Sequence, residues 1–266
     1  MLKARITIAA ISLAAVLPLY AQTGTIEGHV KLTGAAPRNP PIPMGADPNC
    51  LTINAGKRVL QETVLRAPDG GLANVFVNLR GSFPKAAAPA AAATIDQRGC
   101  VYHPRIQGAQ IGQTLQIKNS DQTLHNIHSM STKGNTFNSG QPQAGMVFKY
   151  QLKNEEVMLH VKCDVHPWMT GYIGVVPHPY YAVTDGTGAF RIINVPAGKQ
   201  NIEVWHERYG KLTQTVDVKA GATATIDFAF TGTEKRTASA DDRPVIEIQL
   251  PADASAIEIV APGPAF

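Results

Sequence analysis

The run Cys163-Asp164-Val165-His166-Pro167-Trp168-Met169 places a thiol, an imidazole and a thioether within seven residues, spaced C-x2-H-x2-M. Thiolate and thioether are soft ligands that suit Cu(I), while imidazole suits both copper oxidation states. Three ligands on so short a loop need a tight turn between two strands, and Pro167 fixes part of that turn. Upstream, Asn119-Ser120-Asp121-Gln122-Thr123-Leu124-His125-Asn126 supplies one more imidazole, His125. Together His125, Cys163, His166 and Met169 make a trigonal two-His, one-Cys set with a weak axial Met, the ligand chemistry of a type 1 copper site. For the set to close, His125 must stand on a strand next to the loop.

Working outward, strand-like alternation dominates the chain. Thr25–Leu32, Ala73–Arg80, Thr114–Asn119, Met146–Leu152, Val157–Lys162 and Gly171–Val176 read as strands, and so do Gly188–Asn194, Lys199–Trp205, Leu212–Val218 and Thr223–Phe230. Turn residues separate them, such as Asp69-Gly70-Gly71, Asp185-Gly186 and Pro196-Ala197-Gly198. No long amphipathic helix follows the N-terminal segment. The expected class is all-β, built as sandwiches. Pro37–Pro48 and the Ala/Pro-rich Ser82–Thr94 read as loops. Residues 232–266 read as a tail that opens polar and charged, carries one strand-like stretch, Val245–Leu250, and closes on Ala261-Pro262-Gly263-Pro264.

The chain's 266 residues suffice for one or two domains. Met1–Ala21 reads as a signal peptide: Lys3 and Arg5 are basic, Ile6–Leu17 is apolar, and Ala21 is a small residue at the expected cut. Removing it takes away two positive charges and lowers the formal charge from +4 to +2. No second long apolar run follows, so no membrane span is expected in the mature chain. Neither a Lys/Arg cluster nor a basic stripe is present, which excludes a nucleic-acid partner. The expected location is periplasmic or secreted. Three cysteines in an exported chain leave one thiol unpaired. If Cys163 is a metal thiolate, Cys50 and Cys100 are free to pair; the alternative is a bridge from Cys163 to one of them.

Two family resemblances organise these pieces. Cys100–Val176 resembles small cupredoxins of the amicyanin and pseudoazurin type. The likeness is carried by Gly112–Asp121, by His125-Asn126-Ile127-His128, by Cys163–Met169 and by Gly171-Tyr172-Ile173-Gly174-Val175-Val176. It implies a Greek-key sandwich over residues 97–178, one type 1 copper held by His125, Cys163, His166 and Met169, and a backbone N–H from Asn126 to the Cys163 sulfur. His128 is the rival of His125, but three residues along a strand turns a side chain to the other face. The resemblance also implies that His166 shows its ring edge through an apolar patch, with Pro167, Trp168 and Met130, where a periplasmic redox partner docks.

The flanking segments resemble a smaller carboxypeptidase-regulatory-like, transthyretin-type sandwich, on Val183-Thr184-Asp185-Gly186-Thr187-Gly188-Ala189-Phe190-Arg191-Ile192 and Val195-Pro196-Ala197-Gly198. Its opening half would lie in residues 24–82 and its closing half in 179–231, with the other sandwich inserted between. In the rival layout the N-terminal strands complete the cupredoxin. Such modules rigidify, or bind partners and sugars, so carbohydrate is a candidate ligand of this part; the fold alone does not choose.

No G-x-S-x-G, H-E-x-x-H or phosphate loop occurs, and the remaining His residues lack the spacing of further copper centres, so an enzyme is not expected. Cys100-x2-His103 reads as a disulfide cysteine beside an ordinary histidine. Trp205-His206-Glu207-Arg208-Tyr209 reads as a half-buried strand end satisfied locally. The functional expectation is single-electron transfer by one copper ion. Its rivals are a copper carrier or sensor, and a surface or polysaccharide-binding module with a vestigial site.

Overall fold

The computed structural model describes residues 22–234. The expected signal peptide and nearly all of the expected tail, including Val245–Leu250, lie outside the described residues. In chain order the elements are β1 (Thr23–Leu32), a short helix α1 (Pro48–Ile53), β2 (Phe76–Arg80), β3 (Ala93–Arg98), β4 (Val101–His103), β5 (Ile106–Gln110), β6 (Thr114–Asn119), β7 (His125–Ser129) and β8 (Asn138–Gln141). Then follow β9 (Val147–Gln151), β10 (Glu156–Lys162), β11 (Thr170–Val176), β12 (Tyr181–Val183), β13 (Ala189–Pro196), β14 (Gly198–His206), β15 (Gly210–Val218), β16 (Thr223–Thr225) and β17 (Phe228–Phe230). The class is all-β.

Four sheets pair into two sandwiches. The central one packs the sheet β5-β11-β10-β7-β8 against β4-β3-β6-β9. Its core holds Ile95, Leu115, Ile117, Ile127, Val161 and Ile173, contributed alternately along the strands by both sheets. The flanking sandwich packs β13-β1-β16, with β17 also on β1, against β12-β2-β14-β15. Its core holds Ile26, Leu32, Val77, Phe190, Ile202 and Phe228. The flanking sandwich therefore draws β1 and β2 from before the central strands, and β12–β17 from after them.

Thr223–Phe230, expected as one strand, is two. β16 and β17 both run parallel to β1 in one continuous register, and between them Asp227 turns its carboxylate to accept the His29 N–H at 2.7 Å, which breaks the ladder into two short stretches. Of the strands absent from the sequence expectation, β4, β8 and β12 have three or four residues each, too few for a period to show, while β3 and β5 have six and five.

A third cluster joins the sandwiches. Phe76, Tyr181 and Trp205 of the flanking sandwich meet Ile106, Tyr172 and Val176 of the central one. Gly108 and Gly174 are cross-strand partners in β5 and β11, and they form the floor for these rings. A Cβ on Gly174 would lie 2.2 Å from the Phe76 ring, and one on Gly108 2.3 Å from Tyr181, so both positions need glycine. Beside this cluster Arg105 donates to Glu207 through Nε and Nη2 at 2.6 and 2.7 Å. The segment Trp205–Tyr209 is thus part of the joint between the sandwiches, a role that its sequence did not announce.

Candidate metal centre

The site sits at one end of the central sandwich, and local polar chemistry shapes each of its loops. Asn119 closes β6 with its side chain turned inward. It accepts the Asp121 N–H at 2.9 Å and donates to the carbonyls of Thr123 and Gln141 at 2.9 and 2.8 Å. This bends the chain so that Asp121 and His125, four residues apart, face each other. His125 then enters β7, whose neighbour β10 runs directly into Cys163. The loop from Cys163 to Met169 is closed by two backbone bonds, Cys163 N–H to Met169 C=O at 3.0 Å and Met169 N–H to His166 C=O at 2.9 Å.

His125, Cys163 and His166 offer ligand atoms that all lie within 4.8 Å of one another, and all three residues are buried. The two histidines bring their Nδ1 atoms to 3.0 Å, and Cys163 Sγ lies 3.8 Å from His166 Nδ1. Met169 is buried in the same core cluster. Backbone N–H groups of Asn126 and His166 point at the sulfur, at 3.5 and 3.4 Å. His128, the rival of His125, is half-exposed and binds the Asp164 carboxylate at 3.0 Å, away from the cluster.

The outer nitrogens of the rings decide the tautomers. His125 Nε2 meets Asp121 Oδ2 at 2.9 Å, and His166 Nε2 meets Asp47 Oδ2 at 2.8 Å. An ionised carboxylate only accepts, so each Nε2 carries the proton and each Nδ1 is left with a lone pair. Two lone pairs and a sulfur thus converge in a buried space. Such an arrangement is satisfied by a cation placed among them, a shared proton or a metal ion. The donor types and their geometry fit copper, with carboxylate–histidine pairs behind both imidazoles.

Electrostatics agree with that arrangement. Burial raises the Cys163 pKa, but the adjacent His125 ring and hydrogen bonds from the Asn126 and His166 amides outweigh it and leave the thiol below its ordinary value. For His125 burial acts downward, yet Asp121 and the Cys163 sulfur hold its pKa above the ordinary value. Asp47 is held below the usual carboxylate range, first by its bond to His166. Asp121 is also held low, its burial outweighed by His125 and by the amides of Cys100 and Gly99.

Asp47 and Asp121 are the residues that sequence reasoning missed. Asp121 stood inside a quoted motif with no role given, although its spacing from His125 was visible. Asp47 lay in a stretch expected to be loop. It caps α1, accepting from the Asn49 and Cys50 amides, with Pro48 at the first helical position. The signature Asp-Pro-Asn was the available signal. The Cys50–Cys100 disulfide ties α1 to the β3–β4 turn, and Cys163 remains a free, buried thiol. His103 makes no cluster with Cys100.

One implied feature is corrected. His166 does not present a ring edge at the surface: it is 1% exposed, with Asp47 and α1 over its Nε2. Trp168 is also buried and donates to the Cys100 carbonyl at 2.9 Å, while Pro167 is exposed.

No protein-family model and no curated protein matches this chain. Among solved structures it is similar to a purple cupredoxin from Nitrosopumilus maritimus, at 26% identity and a TM-score of 0.28 over 31% of this chain and 98% of that one. It is similar to a methionine-to-alanine mutant of amicyanin in the Cu(I) state, at 19% identity and a TM-score of 0.29 over 37% of this chain and 97% of that one. It is also similar to a Cu-containing nitrite reductase from Thermus scotoductus SA-01, at 19% identity and a TM-score of 0.28, but spans only 25% of that chain. These likenesses are confined to about a third of this chain.

Proposed function

We propose that this chain is an exported cupredoxin-type protein that carries single electrons on one type 1 copper. The observation that carries the reading is the convergence of His125 Nδ1, His166 Nδ1 and Cys163 Sγ in a buried space, with both imidazoles locked from behind by carboxylates. His125, Cys163 and His166 would hold copper, with Met169, buried in the same cluster, as a further and weaker ligand. The metal supplies a one-electron couple, Cu(II)/Cu(I).

The chain's own residues supply the rest. Asp121 and Asp47 fix the rings, so little needs to move when charge changes. The Asn126 and His166 amides stabilise negative charge on the sulfur, which tunes the potential. Burial excludes water. Among the described residues every His/Cys/Asp/Glu cluster contains His125 or His166, and the cysteines of the other two clusters are spent in the disulfide. That favours one copper and a carrier over a multicopper enzyme. Because α1 covers His166, a redox partner would meet the centre over Pro167 and Trp168, whose indole lies 5.1 Å from the His166 ring.

The disulfide supports an oxidising compartment. No helix among the described residues is long and apolar enough to cross a membrane. The transthyretin-type reading of the flanking sandwich assigns it to holding the central one, through the Phe76 and Arg105–Glu207 contacts. The test is protein-film voltammetry of the copper-loaded chain. A carrier gives a reversible one-electron wave that persists over repeated cycles. Loss of metal on reduction would make it a copper carrier or sensor instead.

A further inference from the structure

A cavity of about 430 Å³ opens against the candidate metal centre, between the segment that follows α1 and the β3–β4 hairpin. That volume lies in the usual range of small-molecule sites, roughly 300–1,000 Å³. Trp168, Met169 and Tyr102 line its inner side, and Ile42, Val59 and Leu60 line it from the α1 side. Much of the wall is aromatic and apolar, and the lining also carries the cations Lys57, Arg98 and Arg105, against Glu62 as the single carboxylate. Arg105 is engaged by Glu207. Lys57 and Arg98 are exposed and stand in no ion pair among the described residues. Two unspent cations above an aromatic wall are a recognition pattern for a ring bearing negative charge.

On the His166 side the centre is shut by Asp47 and α1. On the Met169 and Trp168 side it borders this cavity, so a small molecule reaches the ligand loop from there.

We infer that the cavity binds a small aromatic anion, a carboxylate or phenolate, with its ring against Trp168, Tyr102 and Val59 and its charge toward Lys57 and Arg98. The walls are protein side chains, so the inference stands whether or not the centre takes copper.

The test uses the full metal-free chain titrated with para-hydroxybenzoate, followed by calorimetry and tryptophan fluorescence. Benzyl alcohol (a ring without charge) and acetate (charge without a ring) serve as comparisons. Saturable binding of para-hydroxybenzoate is expected, with much weaker binding of either comparison compound. The Lys57→Ala/Arg98→Ala double variant should bind about tenfold more weakly, the scale of losing charge-assisted hydrogen bonds at a partly exposed site. Both side chains are exposed, so the variant should keep the parent's thermal unfolding. Trp168→Phe should silence the fluorescence change while calorimetry still reports binding. No saturable binding up to about 10 mM, well above millimolar affinity, would overturn the inference. So would equal binding of benzyl alcohol, or an unchanged affinity in the double variant.

Discussion

Removing the Glu207 carboxylate should cost this protein a large part of its stability. Arg105 and Glu207 are only 10% and 7% exposed, and they meet through two short hydrogen bonds, 2.6 and 2.7 Å. Burial would lower the Arg105 pKa, yet the Glu207 partner more than compensates and holds it above its ordinary value. Glu207→Ala leaves that guanidinium charged, buried and without its partner. Breaking a buried pair from one side costs about 3–5 kcal/mol. At about 1.4 kcal/mol per factor of ten, the folded-to-unfolded ratio falls by roughly two to four orders of magnitude. The double variant Arg105→Met/Glu207→Leu removes both charges and keeps apolar volume at the joint, so it should return to within about 1 kcal/mol of the parent. Urea unfolding followed by Trp205 fluorescence in a Trp168→Phe background reads the joint directly, because Trp205 packs in the cluster between the sandwiches. A Glu207→Ala variant within about 1 kcal/mol of the parent, or a double variant as weak as the single one, would refute the reasoning.

Other predictions follow from single residues. Burial, helped by the charges of Arg105 and Arg208, pushes the His206 pKa down to about 3, so the unfolded chain takes up this proton near pH 6.5 and the folded chain only near 3. The contribution of this site to stability is therefore full above about pH 6.5 and is lost as pH falls toward 3, at up to about 1.4 kcal/mol per pH unit. His206→Phe should remove that slope from the unfolding free energy, and an unaltered slope would count against it. Gly174→Val drives a side chain into the Phe76 ring, where a Cβ has 2.2 Å, and should cost about 1–3 kcal/mol in the same unfolding assay; a neutral outcome would mean that the joint is loosely packed. Asp47→Ala and Asp121→Ala each free one imidazole from behind, and each should lower copper affinity by about 10- to 100-fold in a competition titration. Unchanged affinity in both would remove the carboxylates from the account.

The fold class and the ligand loop were legible for separate reasons. Strands such as Thr114–Asn119 and Gly171–Val176 bury one face or both in a sandwich, so alternation or a continuous apolar run marks them. The spacing of Cys163, His166 and Met169 is set within one loop, and a loop's spacing is carried entirely by local sequence. The cap over His166 was not legible, because it depends on Asp47 meeting a residue 119 positions away. The joint was hidden for a similar reason. Gly174 reads as an ordinary strand glycine, and Gly108 falls outside every expected strand, until Phe76 and Tyr181 are seen lying on them, and the Arg105–Glu207 pair spans 102 positions. Side chains that respond to distant partners leave no period in the chain.

The most direct measurement is the visible and EPR spectrum of the mature protein with one equivalent of Cu(II), recorded beside Cys163→Ser. A type 1 copper held by Cys163 gives an intense thiolate-to-copper visible band with narrow copper hyperfine splitting in the parent, and both are lost completely in the variant. A colourless parent, or weak copper absorption indifferent to Cys163→Ser, would contradict it.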